Sequence, residues 1–440
     1  MKSRWEVLAP LENRDFTRLW LANGLWWQAM WMEQLVLGWL VLNMTDSAWL
    51  VALLGFFRFI PSLFIGGISA AITDRFMRRS IILAVQLLNA VFTSLISLLF
   101  LLDLLQYWHL AAVSLAIGCG WSLDWTSRRA LIPDLVGKDK VVDAMVVENS
   151  LQSLTRVTGP LTAGYLMAVL GIGSSLVALA SMAFLSTILV WTLKTQSRAP
   201  NRPTGIIDTW RKQVEGVKYV RQHPRILGVV LVTIAMNMWA FPYQNLLPVF
   251  ARDVLMQGPV GLGWLGAANG LGTFIGLFAI NWARLRRSNE WLFCTGSIFS
   301  CVGVICFAFS TSFYLSLTLL FLAGIGHVGF SVMQSSIILV ESADEMRGRA
   351  MGAISLAIGT GPLGRLQSGA MAEAFGAPLA VGSMTVMAVA AIGAAMFCAA
   401  GFVRGNASLE EGKRQQIESS AGKMAGNVDG GGEPIYIAVS

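Results

Sequence analysis

GGISAAITDRFMRRS, residues 66–80, joins two long apolar segments through a charged turn of Asp74, Arg75, Phe76, Met77, Arg78 and Arg79. Three arginines in so short a loop mark the cytoplasmic side of a membrane, because basic residues are retained there. Asp74 is the odd member of the turn. It is either a bystander in a topogenic loop or a cap for a neighbouring helix N-terminus, where unpaired N–H groups and the dipole favour negative charge.

The composition agrees with a membrane setting. The 440 residues are 55% hydrophobic and 13% charged, with a mean hydropathy of +0.62. A soluble domain cannot hide that much apolar surface, so the expected class is an all-α integral membrane protein. The net charge of +7 does not point to nucleic acid, because the basic residues sit in short loops on one side. Cys119, Cys294, Cys301, Cys306 and Cys398 all fall in apolar segments without metal spacing and read as packed thiols. The first apolar segment is far longer than a signal h-region, so no cleavable leader is expected.

Twelve helical spans of about 20 residues can be drawn. They lie near 17–43, 48–73, 80–102, 109–131, 144–170, 173–193, 226–250, 259–283, 290–309, 314–340, 349–374 and 378–403. The turns near 43–48, 103–109, 171–175, 309–314 and 374–378 contain no lysine or arginine, and the remaining one on that side holds only Arg252, followed by Asp253. The opposite side carries Lys2, Arg4, Arg14 and Arg18, the Arg75–Arg79 loop, Arg128, Arg129, Lys138, Lys140, Arg284–Arg287, Arg347 and Arg349. This alternation predicts cytoplasmic termini in a multi-pass protein of the cell membrane.

The expected organisation is a cytoplasmic N-terminus (1–16), a six-helix bundle (17–193), a cytoplasmic linker (194–225), a second six-helix bundle (226–403) and a disordered cytoplasmic tail (404–440). The linker carries Pro200, Pro203 and eight basic residues, and its Asp208–Gln222 part has the character of a surface helix. The halves repeat. Thr158-Gly-Pro-Leu161 recurs as Thr360-Gly-Pro-Leu363 in the fifth span of each half, and 130–145 matches 336–351 in length and ending. Parallel repeats of this kind place a substrate site between the halves at mid-membrane.

The 66–80 loop resembles the Gly-x-x-x-Asp-Arg-x-Gly-Arg-Arg signature of the major facilitator superfamily. Asp74, Arg75, Arg78 and Arg79 match it, while Ala70 and Met77 replace its glycines. Asn13-Arg-Asp-Phe-x-Arg-Leu-Trp20, Gly38-Trp-Leu-Val-Leu-x-x-Thr-x-Ser47, Ala130-Leu-Ile-Pro-Asp-Leu-Val136, Arg347-Gly-Arg349 and Gly361-Pro362-x-Gly364 follow in the order of its enterobactin-exporter and macrolide-efflux branch. Gly159-Pro160 with Gly164 is similar to the exporters' fifth-helix motif. The resemblance covers residues 10–403 and implies the major facilitator fold of two pseudo-symmetric six-helix bundles.

Glu33, Arg58, Arg156 and Arg365 lie near mid-depth, where each costs about 2.5–3.5 kcal/mol on insertion scales. Either Glu33 and Arg58 lock two helices together, or all four face the central cavity, as the resemblance implies. One acid against three bases would favour an anionic, oxygen-rich solute. His327 is a packing residue or a proton or substrate ligand. Asp124, near Arg128, belongs to a structural cluster with Asp74 and Arg75 or carries a proton; in the family such a cluster helps hold the outward-facing state. Trp27 and Trp31, one turn apart, pack the core or stack on an aromatic solute. Gly266, Gly270, Gly272 and Gly276 read as close helix contacts.

No P-loop, His-Glu-x-x-His or His/Cys cluster is present, so no cofactor, metal or enzymatic role is expected. The expectation is a monomeric secondary transporter, a proton-coupled exporter of a small amphiphilic, anionic aromatic molecule of the siderophore kind. Macrolide or multidrug efflux is the alternative, and an uptake permease or a non-transporting membrane protein stands behind it. Glu33 is the first candidate proton carrier, with His327 and Asp124 behind it.

Overall fold

Asn13 starts the first membrane passage. Its side-chain oxygen accepts the backbone N–H of Asp15 at 2.9 Å and of Phe16 at 3.2 Å, satisfying donors left open at a helix start. The helix it caps, α1 (Arg14–Thr45), stops where Asp46 turns left-handed at φ 52° and returns its N–H to Leu42.

The computed structural model describes residues 6–65, 69–73, 75–194, 206–283 and 286–398. After α1 come α2 (Ala48–Ile65), α3 (Ser69–Thr73), α4 (Arg78–Leu101), α5 (Tyr107–Val136), α6 (Val141–Val169) and α7 (Gly171–Trp191). A connecting helix, α8 (Ile206–Gln222), leads into α9 (Pro224–Ala235) and α10 (Tyr243–Val249), which form one passage. The remainder is α11 (Pro259–Ala283), α12 (Asn289–Ala308), α13 (Phe313–Glu341), α14 (Arg347–Ile358), α15 (Gly361–Phe375) and α16 (Ala377–Cys398). Among the described residues these make twelve passages and no strand.

Eight of the passages are apolar enough by composition alone to cross a bilayer. Those that are not, α1, α5, α6 and the α14–α15 pair, contain Glu33, Asp124, Arg128, Glu148, Arg156 and Arg365. In α1, α5 and α6 the polar groups lower the hydropathy, whereas α14 and α15 are each shorter than a span, with 12 and 15 residues.

Packing repeats between the halves. In the first, α2 and α4 flank α5, α4 lies on α7, and α1 lies on α6 and α7. In the second, α11 and α12 flank α13, α12 lies on α16, and the α9–α10 passage lies on α16 and the α14–α15 pair. The halves meet along two equivalent seams, α6 against α11 and α15 against α2. At the first seam a Cβ on Gly164 would come 2.9 Å from Gly263 Cα, and one on Gly266 would come 2.9 Å from Pro160 Cβ. Only glycine lets these backbones approach so closely.

Two passages differ from the straight spans that the sequence predicts. The seventh contains two π-helical segments, Met236–Ala240 and Phe250–Val254. They are closed by bonds five residues apart, from Phe241 N to Met236 O and from Leu255 N to Phe250 O, each 2.9 Å. Pro242 and Pro248, without N–H groups, break the regular ladder nearby. The eleventh passage breaks between α14 and α15. There Gly359 precedes the second Thr-Gly-Pro-Leu quartet, whereas Val157 precedes the first, which runs unbroken through α6. A glycine beside a proline gives up helix that a valine retains.

The basic loop is partly visible. Asp74 lies outside the described residues, as do 195–205 of the linker and the tail. Arg75 is exposed. Arg78 pairs with Asp134 and donates to Ala130 O, both at 2.7 Å, and Arg79 donates to Trp191 O at 2.6 Å. The two arginines thus tie the start of α4 to the last two turns of α5 and to the C-terminal end of α7, where carbonyls lack helix partners. The connecting helix is tied to α14 by Glu215–Arg349, 3.0 Å.

Candidate functional site

Helical spacing builds the site. Trp27, Trp31, Gln34 and Gly38 recur at three- and four-residue steps along α1 and share one face. Trp121 and Trp125 of α5, and Gln152 and Arg156 of α6, repeat the step. These faces, with part of α2, Gln244 and Asn245 of α10 and Arg365 of α15, enclose a cavity between the halves of about 340 Å³. That volume lies in the range of about 300–1,000 Å³ typical of small-molecule sites.

Glu33, Arg58, Arg156, Arg365, Trp27 and Trp31 all line this cavity. Glu33 Oε2 lies 3.6 Å from Arg58 Nη2, an ion pair without a close hydrogen bond. Arg156 donates to Asn269 Oδ1 at 3.2 Å across the α6–α11 seam and stands 5.4 Å from the Trp31 ring. Arg365 stacks 4.0 Å from the Phe59 ring. Four buried side-chain atoms on the cavity have no hydrogen-bond partner in the protein: Trp31 Nε1, Arg58 Nη1, Asn245 Nδ2 and Arg365 Nε. All four are donors.

His327 is not part of this site. It packs edge-on against Phe241 at 4.9 Å and beside Phe330 at 6.1 Å, inside the second half. Its neighbours in that cluster are rings.

Asp124 and Arg128 form a separate buried network. Arg128 Nε donates to Asp124 Oδ2 at 2.8 Å and an Nη1 donates to Asn23 Oδ1. Arg128 also lies 4.8 Å from the Trp26 ring. Of the cluster expected from sequence, Asp124 near Arg128 with Asp74 and Arg75, the structure describes the Asp124–Arg128 pair, one turn apart on the same helix, while Asp74 lies outside the described residues. Glu148 belongs to this network and was not singled out from sequence. It is 8% exposed and accepts from Trp27 Nε1 at 3.3 Å. Its place only seven residues into α6 makes it look like an interfacial residue, and nothing local says that α1 and α5 cover it.

Gly159 and Pro160 lie where α6 meets α1 and α11: a Cβ on Gly159 would meet Trp31 Cβ at 2.5 Å. Gly361 and Pro362 open α15 one turn before Arg365. Of the eighth-span glycines, Gly270 faces the backbone of Arg156 at 2.8 Å, and Gly272 and Gly276 face α13.

Closure is one-sided. Arg252 pairs with Asp46 and donates to Leu42 O at 3.0 Å. Glu373 accepts from Ser47 Oγ at 3.0 Å and from Trp49 N at 3.1 Å. The hydrogen bonds described between the halves lie at mid-depth, Gln34 to Asn245 and Arg156 to Asn269, or at this charge-poor end. The cavity is therefore sealed at the end opposite the basic loops.

A family profile described as transmembrane secretion effector matches residues 5–428. The multidrug efflux pump Tap of Mycobacterium tuberculosis is 22% identical over 356 residues, covering 77% of this chain and 82% of the pump. Macrolide efflux protein A of Streptococcus pyogenes is 22% identical over 345 residues, covering 76% and 83%. A bacterial homologue of the human lysosomal transporter Spinster, solved inward-facing and unoccupied, superposes with a TM-score of 0.70 at 16% identity, covering 89% of this chain and 98% of that one. The peptide-family transporter PepTSo superposes with a TM-score of 0.69 at 11% identity, covering 89% and 98%.

Proposed function

Because the chain belongs to the transmembrane secretion effectors of the major facilitator superfamily, we propose that it exports a small amphiphilic, acceptor-rich aromatic solute by alternating access, driven by protons. The carrying observation is the cavity's donor excess. Among the described residues that line it, four buried N–H groups have no partner in the protein, and three guanidinium groups stand against one carboxylate. An unpaired buried donor costs about 1–3 kcal/mol, and a carboxylate or catecholate offers acceptors to several at once. The walls of Trp27, Trp31, Trp121, Trp125 and Phe59 suit a flat ring. A siderophore of the catecholate kind has both properties.

With the basic loops in the cytoplasm, the sealed end is external and the structure is inward-facing, ready to load from the cell. Glu33 is the proton carrier. The solute binds the ionised pair, a catechol hydroxyl donating to Glu33 while its oxygens accept from Arg58; a proton taken up by Glu33 from outside removes that acceptor and releases the solute, so proton and solute travel in opposite directions. Efflux of macrolides or other drugs is the second reading, favoured by the relatives Tap and macrolide efflux protein A.

Proteoliposomes test the coupling: 2,3-dihydroxybenzoate flux should rise with an imposed pH gradient, and Glu33→Gln should abolish that rise while leaving gradient-free exchange. Indifference of the wild type to the gradient would remove proton coupling, and a gradient response retained by Glu33→Gln would remove this residue.

A further inference from the structure

Glu33 and Arg58 form a wall between two spaces. On one side is the main cavity; on the other is a polar annex within the first half, bounded by α1, α2, α4, α5 and α7. The annex has a volume of about 40 Å³, enough for a carboxyl head group or a few waters but far too small for the solute. From α4 it receives Gln86, Asn89 and Thr93. Gln86 is 1% exposed. Gln86 Nε2 and Asn89 Oδ1 are buried without a hydrogen-bond partner in the protein.

One orphan is a donor and the other an acceptor. A carboxylate, which only accepts, satisfies one of them. A protonated carboxylic acid accepts through its C=O and donates through its O–H, and so satisfies both; either amide orientation still offers one donor edge and one acceptor edge. We propose that Gln86 and Asn89 form the receptor for the protonated Glu33 side chain during the solute-free return step of the cycle.

The proposal rests on the proton-coupled reading and gives it a second position for the carrier. Of the charged groups around Glu33, Arg156 of α6 and Arg365 of α15 line the main cavity alone, and Arg58 of α2 lines both spaces. In the annex α4 presents the neutral Gln86, Asn89 and Thr93, α5 presents Ile117, and α7 presents Leu179 and Ala183. The unprotonated acid therefore belongs with Arg58 and the neutral acid with the amides. The proton comes from external water and leaves to the cytoplasm when Glu33 returns to Arg58 and the next solute loads. Leaving two buried amide groups unpaired in the carboxylate state is the cost that makes the switch reversible.

Infrared difference spectroscopy on the purified full chain, titrated with acid, tests this. Subtracting the Glu33→Gln spectrum isolates the C=O stretch of protonated Glu33. Gln86→Met and Asn89→Leu, each confirmed folded by thermal unfolding, should shift that band to higher frequency and move its pH midpoint toward acid. Asn89→Gln, which keeps the amide, should recover much of both. A band and midpoint unchanged in Gln86→Met and Asn89→Leu would overturn the receptor while leaving Glu33 as carrier. Absence of any Glu33-dependent band would overturn the carrier and the receptor together.

Discussion

Arg365 on the second half and Phe59 on the first stack at 4.0 Å, and the Arg58 guanidinium lies 5.9 Å from the same ring. Two like charges from opposite halves thus share one aromatic neighbour, with the single carboxylate, Glu33, beside Arg58. A cation–π contact returns about 0.5–2 kcal/mol, against an insertion cost of about 2.5–3.5 kcal/mol for the arginine. The ring does not cover the cost of Arg365, and the proposed anion would offset the remainder.

Arg365→Gln should therefore leave thermal stability unchanged or raised while lowering transport of an anionic aromatic probe at least about tenfold, the equivalent of one lost 1.4 kcal/mol interaction. Melting of the purified variant, with transport normalised to folded protein, separates the two effects. A drop in stability with normal transport per folded molecule would return Arg365 to a packing role.

Asp124 should behave in the opposite way. It is fully buried and paired with Arg128, so Asp124→Asn strands a buried cation at a cost of about 3–5 kcal/mol. The expected result is lost expression or a sharply lowered melting temperature. A stable Asp124→Asn protein that has lost only its response to a pH gradient would transfer the carrier role from Glu33 to Asp124.

The sealed end depends on two clasps around the turn after α1. Arg252–Asp46 is an exposed pair worth about 0.2–1 kcal/mol. Glu373 accepts both a hydroxyl and a backbone N–H, and bonds to a charged group are worth about 1.5–3 kcal/mol before screening. Glu373→Ala should thus shift the equilibrium toward outward opening by roughly tenfold, and Arg252→Ala by less, about fivefold at most. A cysteine placed at Val51, a cavity residue below the seal, should label faster from outside in Glu373→Ala than in Arg252→Ala. Equal rates in both variants and the parent would mean that the seams, not the clasps, hold the end closed.

The helix count and the repeat were legible because both rest on patterns that survive in one dimension: apolar length, alternation of loop charge, and a recurring quartet. Mid-depth Glu33, Arg58, Arg156 and Arg365 were visible for the same reason, each standing alone in an apolar run. Glu148 was not, because seven residues from a helix start is interfacial unless neighbouring helices cover it, and only the packing of α1 and α5 shows that they do. His327 looked like the others in sequence, yet its helix presents it to Phe241 and Phe330. The π-segments of the seventh passage and the break at Gly359 also needed three dimensions, since the same Thr-Gly-Pro-Leu letters run straight in α6.

The solute is decided by the sign of the cavity. Every orphaned polar atom on it is a donor, which suits carboxylate, catecholate or densely oxygenated molecules; a lipophilic amine would add a fifth donor and leave all four unpaired. Each buried donor left unmatched costs about 1–3 kcal/mol, so discrimination against cations should exceed about thirtyfold if two of the four are used. A deletion strain profiled under iron limitation should secrete less catecholate siderophore, and an antibiotic panel on the same strain should show no sensitisation to macrolides or cationic dyes. Complementation with Arg365→Gln should fail to restore secretion. Normal secretion with new sensitivity to macrolides or cationic compounds would instead mean that Arg58, Arg156 and Arg365 are neutralised within the working cycle, and the drug-efflux reading would replace the anionic one.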